Sequence, residues 1–72
     1  MRFTQVANGY IRAYSHAGDR VEVRKTGSLW TLTVSEAETW RVMHTATAPK
    51  AYLCCQEACR FFGVGAYGQV DK

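Results

Sequence analysis

Apolar residues alternate with polar ones over 10–15, 20–25, 29–35 and 39–45, and over 49–62 they return every three or four positions instead. A period of two places successive side chains on opposite faces of a strand, and a period near 3.6 gathers them on one stripe of a helix. Turn residues separate the strand-like runs: His16-Ala17-Gly18-Asp19, then Gly27-Ser28, then Glu36-Ala37-Glu38. These runs form an antiparallel meander. Residues 3–6 are a candidate first strand, closed by Asn8-Gly9, a strong turn signal. The helix starts near Thr47, whose hydroxyl can cap free backbone N–H groups, with Pro49 in its first turn and Gly63 as its stop. The predicted fold class is α+β: a three- to four-stranded antiparallel sheet with one C-terminal helix packed on one face. Residues 1–63 form one domain, and 64–72 form a flexible, glycine-bearing tail.

On a helical wheel Ala51, Cys54, Cys55, Ala58, Cys59, Phe61 and Phe62 fill one arc, and Lys50, Gln56, Glu57 and Arg60 fill the other. Leu53 falls among the polar residues. If the helix covers the more apolar sheet face, the core takes Ile11, Ala13, Val21, Val23, Trp30, Leu32, Val34, Trp40 and Val42. The opposite face then carries Tyr10, Arg12, Tyr14, Arg20, Glu22, Arg24 and Arg41, with Leu29, Thr31, Thr33, Met43 and Thr45. Tyr10, Arg12, Tyr14, Arg20, Arg24 and Arg41 are the candidate partner-binding residues. Arginine and tyrosine on an open sheet can hold phosphates and stack bases, or anchor an acidic protein surface. They can equally be a solvated face whose long side chains shield the sheet.

Length bounds these readings. A chain of 72 residues buries only about 60% of its unfolded surface, so its core is thin and leaves little room for a deep pocket. With 47% hydrophobic and 21% charged residues it has a globular rather than a disordered composition. Nine Lys and Arg against six Asp and Glu give a net charge of +3, which favours acidic partners without approaching the density of a dedicated nucleic-acid-coating protein. No apolar run approaches the roughly 18 residues that span a bilayer, and no basic segment followed by an apolar one opens the chain. The expected location is cytoplasmic, with no membrane partner.

Cys54, Cys55 and Cys59 are odd in number and clustered, unlike the dispersed, even cysteines of a disulfide framework. They read as small buried side chains in a reducing compartment. A partial metal site would need His44 to come near them, and the spacing matches no established finger, so no metal and no cofactor is expected. Catalysis is not expected either, because neither His16 nor His44 has a Ser, Asp or Glu constellation at a recognisable spacing. Gly63-Val64-Gly65 follows a helix instead of opening one, the reverse of a nucleotide-binding turn.

The succession Leu29-Trp30-Thr31-Leu32-Thr33-Val34, Thr39-Trp40-Arg41-Val42, then Thr47-Ala48-Pro49-Lys50-Ala51 opening a helix resembles the layout of small phage and plasmid accessory proteins, some of them anti-CRISPR inhibitors. The resemblance covers the layout of residues 10–62 and carries over no residue's role. It implies a small binding module that blocks a host defence nucleoprotein complex by protein contact, in the host cytoplasm if phage-encoded. The layout is also similar to the arm-type DNA-binding domain of tyrosine recombinases, which implies instead a nucleic-acid-binding regulator using the same sheet face. A redox or metal-linked protein built on the cysteines is a third reading. The expected partner is a larger host protein or nucleoprotein complex, or nucleic acid. A homodimer could also form through an edge strand, 10–15 or 39–45.

Overall fold

The computed structural model describes residues 1–63 and 70–71. Strands β1 (Phe3–Ala7), β2 (Tyr10–Tyr14), β3 (Arg20–Thr26), β4 (Leu29–Ser35) and β5 (Val42–Ala48) are followed by helix α1 (Ala51–Phe62) and a two-residue strand β6 (Val70–Asp71). The sheet order is β5-β4-β3-β2-β1-β6. Strands β1 to β5 form an antiparallel meander, and β6 pairs in parallel with β1 at Phe3 and Thr4. The α+β class with one helix on the sheet therefore holds, but the antiparallel strands number five rather than three or four. The additional strand is the candidate at residues 3–6, fixed by Phe3, whose ring is fully buried. The tail expected over 64–72 lies outside the described residues except for Val70 and Asp71 in β6.

The alternation read from β2, β3 and β4 is the alternation the fold uses. Ile11, Ala13, Val21, Val23, Leu32 and Val34 are buried with Phe3, and they meet Cys54, Cys55, Ala58 and Cys59 of α1. Trp30 packs partly buried at the margin. Small side chains at the centre of the helix face let α1 come close to the sheet. The valine methyls thus find partner atoms where larger residues would hold the layers apart. The helix begins later than expected, at Ala51, with Lys50 as an N-cap that makes no side-chain bond. Thr47, expected as the cap, is instead paired with Thr31 inside the sheet. The left-handed Gly63 (φ 68°) ends the helix, its N–H reaching back to the Arg60 and Cys59 carbonyls.

The last strand departs most from the pattern. Residues 39–41 do not belong to it, because Trp40 N–H bonds to the Glu36 carbonyl (3.0 Å) and Glu36 N–H to the Arg41 carbonyl (2.8 Å), closing residues 36–41 into a loop. A bulge then pairs Val34 with His44 and Ser35 with Val42, which leaves Met43 as the extra residue. Two core assignments fail as a result. Trp40 is 58% exposed in the loop, and Val42, opposite the open-face residue Ser35, is 54% exposed. Met43, expected on the open face, packs against the core. Phe61, expected in the buried arc, is 40% exposed and stacks on His44 with ring centroids 4.9 Å apart. Strand β2, named as a potential edge, is interior between β1 and β3.

Ala58 is fully buried at the helix–sheet contact. Replacing it with Glu would place an unpaired charge there, at a cost of several kcal/mol against a domain stability of roughly 5 kcal/mol. A58E is expected to lose cooperative thermal unfolding by circular dichroism, and a folded A58E of unchanged melting temperature would show that this contact does not hold the domain.

Candidate functional site

Strand register builds the open face. Tyr10 lies opposite Arg24, Arg12 opposite Glu22 and Tyr14 opposite Arg20, and directly opposed residues share one side of an antiparallel pair. Glu22 organises this group. Its Oε2 accepts hydrogen bonds from the Tyr10 hydroxyl at 2.6 Å and from Arg24 Nη2 at 3.1 Å. Burial alone would raise the Glu22 carboxyl, but these two bonds and the charges of Arg24 and Arg20 outweigh it, holding the carboxyl below its ordinary range. Burial first, then the bond to Glu22, pushes the Tyr10 phenol upward.

The arginines lie against rings. The guanidinium carbon of Arg24 is 4.3 Å from the centroid of Tyr10, and that of Arg12 is 5.9 Å from Tyr10 and 5.8 Å from Tyr14. Arg20 lies 4.4 Å from Trp40. Since Tyr14 and Arg20 are cross-strand partners, Arg24, Tyr10, Arg12, Tyr14, Arg20 and Trp40 form one continuous stripe across β2, β3 and the 36–41 loop. A guanidinium stacked on a ring is restrained by it, and here Arg24 Nη2 is turned to Glu22 while Arg20 Nε is buried with no hydrogen-bond partner among the described residues.

Sequence reasoning placed Tyr10, Arg12, Tyr14, Arg20 and Arg24 on this face, and the structure brings all five together. Arg41 is a correction: it lies in the 36–41 loop, 3.6 Å from the Glu36 carboxylate, and not on the sheet. Trp40 was missed. Its place depends on Asp19, whose Oδ1 accepts the Ala37 N–H at 3.0 Å while its Oδ2 accepts the Ser15 hydroxyl at 3.2 Å. These bonds tie the 36–41 loop to the β2–β3 turn and set the indole over Arg20. Trp40 also has φ 61°, which is uncommon for a bulky residue and costs about 1–2 kcal/mol. The signal legible in the sequence was Glu36-Ala37-Glu38, a turn just ahead of it.

On the other side of the sheet His44 Nε2 meets Glu57 Oε2 at 2.9 Å, and Arg60 grips Glu57 Oε1 at 2.7 and 3.0 Å. His44 is therefore engaged with Glu57 and Phe61. Cys54, Cys55 and Cys59 are buried, Cys54 donating to the Trp30 carbonyl at 3.4 Å, and burial pushes the Cys54 thiol upward. Among the described residues no three His, Cys, Asp or Glu side chains cluster as metal ligands, and no helix is long and apolar enough to cross a membrane. In comparison with known proteins, the chain matches no family model, no curated protein and no solved structure.

Two measurements test the stripe. A carboxyl lowered on folding contributes stability that is full above its unfolded pKa and is lost as pH falls through the folded one. A phenol raised on folding contributes stability that is full below its unfolded value and is lost as pH rises through its folded one. Chemical denaturation across pH should therefore show the Tyr10–Glu22 contribution as a plateau between the two ranges. Tyr10→Phe should shrink the plateau and flatten both limbs relative to wild type, whereas unchanged limbs would mean the bond is not formed. Separately, W40G relieves the left-handed strain while losing a cation–π contact worth about 0.5–1 kcal/mol. Glycine also adds unfolded-state entropy worth about 0.5–1 kcal/mol, so the terms nearly cancel and the melting temperature is expected to stay close to that of wild type; a loss above about 2 kcal/mol would make Trp40 a structural residue.

Proposed function

We propose that the protein is a small non-enzymatic binding module that docks its stripe onto an acidic surface of a larger protein or nucleoprotein complex and acts by occupying that surface. The continuous run Arg24–Tyr10–Arg12–Tyr14–Arg20–Trp40 carries this reading. Trp, Tyr and Arg are the residue types that dominate binding energy in protein interfaces, and three arginines against Glu22 select a partner of opposite charge. The same geometry weighs against bases as the ligand. A base stacks on an open ring face, and here guanidinium groups lie over Tyr10 and Trp40 while their N–H edges suit carboxylates.

A non-catalytic role is supported by the state of the obvious nucleophiles. The cysteines are buried, and the raised Cys54 thiol is far from the thiolate that reactivity needs. The layout likeness to phage and plasmid accessory proteins gives the reading its concrete form, an anti-CRISPR-like inhibitor of a host defence complex. Layout alone supports that identity.

Affinity capture from source-cell lysate, with and without nuclease, tests the proposal using wild type and the R12E/W40A variant. An acidic protein held by wild type, lost from the variant and retained after nuclease is the expected result. Capture abolished by nuclease would overturn the reading, as would submicromolar binding of single-stranded oligonucleotides at physiological salt that R12E/W40A loses. Either result would make the protein a nucleic-acid regulator.

A further inference from the structure

Among the described residues β5 is an outer strand, paired with β4 on one side. Natural edge strands are usually blunted by Lys, Pro, inward charges, bulges or brevity. The seven residues of β5, Val-Met-His-Thr-Ala-Thr-Ala, include no Lys, Arg, Asp, Glu or Pro. The bulge is confined to the start of the strand, and His44 to Ala48 pair regularly with Val34 to Trp30. The opposite edge of the meander is treated differently, since β6 lies against β1.

We propose that β5 pairs antiparallel with β5 of a second copy about a two-fold axis at Ala46, joining two sheets into one. The five regular residues are self-complementary in that register. Ala46 meets Ala46, each Thr45 meets the other copy's Thr47, and each His44 meets the other copy's Ala48. Faces match throughout. Thr45 and Thr47 lie opposite Thr33 and Thr31 on the open face, while His44, Ala46 and Ala48 lie opposite Val34, Leu32 and Trp30 on the helix side. The threonine pairs of β4 and β5 thus continue across the junction as two unbroken rows, a favourable cross-strand pairing with no like charges opposed.

The helices leave room for this. Helix α1 packs over β3, β4 and β5, so its axis runs over β4. In the joined sheet β4 and its counterpart are three strand spacings apart, about 14 Å, and a helix with side chains is about 10–12 Å wide. The gap of about 2–4 Å is bordered by Phe61, which is 40% exposed and held against His44. A short edge buries less than the roughly 800 Å² per partner of a standard interface, so the dimer depends on concentration. Because the two-fold pairing uses β5 of both copies, it closes at two copies. The pairing does not rest on the proposed partner, but it would present two arginine stripes on one face, their β3 strands five spacings or about 24 Å apart, and so favour a bivalent target.

Sedimentation velocity from about 10 µM to about 1 mM tests the proposal. Wild type is expected to move from monomer toward dimer and no further. T45K and, as a second variant, T47K each put a charge on the exposed face of β5, where it would stand at the junction. Each should weaken dimerisation about tenfold or more while leaving the circular dichroism unchanged. A wild type that stays monomeric throughout overturns the proposal, and so does growth beyond a dimer. A dimer unaffected by folded T45K or T47K but broken by R12E would also overturn it, placing self-association on the stripe instead.

Discussion

The contact between one helix and one sheet face carries this domain. A chain of 72 residues has one opportunity to remove enough apolar surface from water, and here it is the seam between Cys54, Cys55, Ala58 and Cys59 and the inward residues of β2, β3 and β4. Small helix residues make the seam close, and the branched residues Val21, Val23 and Val34 fill it. The cysteines serve here through their size, which explains a cluster that matches neither a disulfide framework nor a metal finger. Once one side of the sheet is committed to that seam, the other side is left to polar and aromatic side chains.

The charged groups of the open face are arranged with respect to one another. Glu22 is held ionised by Tyr10 and Arg24, the arginines rest on rings, and the Asp19 bonds carry the order from the sheet into the 36–41 loop. Arginine and tyrosine side chains that start out restrained have less freedom to lose on binding. Trp40 illustrates the opposite side of that balance. A bulky residue in a left-handed conformation is maintained only because its surroundings determine it, and such strain is characteristic of binding sites.

The two ends of the sheet are unequal for a related reason. The bulge that turns Val42 outward is spent within the first residues of β5, and the remainder of the strand is regular and uncharged. The loop and bulge that create the Trp40 site thus also set the frame of the free edge. The arginine–aromatic stripe on β2 and β3 and the outer strand β5 are separate surfaces of one sheet.

What the sequence by itself determined is whatever depends on local period. Alternation through β2, β3 and β4 placed Ile11, Val21, Val23, Leu32 and Val34 inside and Tyr10, Arg12, Tyr14, Arg20 and Arg24 outside, and the longer period named the helix and its buried cysteines. These assignments survive because a strand or helix without interruption keeps its phase. Only the tertiary structure decided the phase after an interruption. Trp40, Val42 and His44 continue an alternation in the sequence, yet the loop takes Trp40 out of the strand and the bulge turns Val42 away from the core. Hydrogen bonds between distant residues, from Ala37 to Asp19 and along the β4–β5 ladder, make that choice, and a period counted along one strand does not contain them.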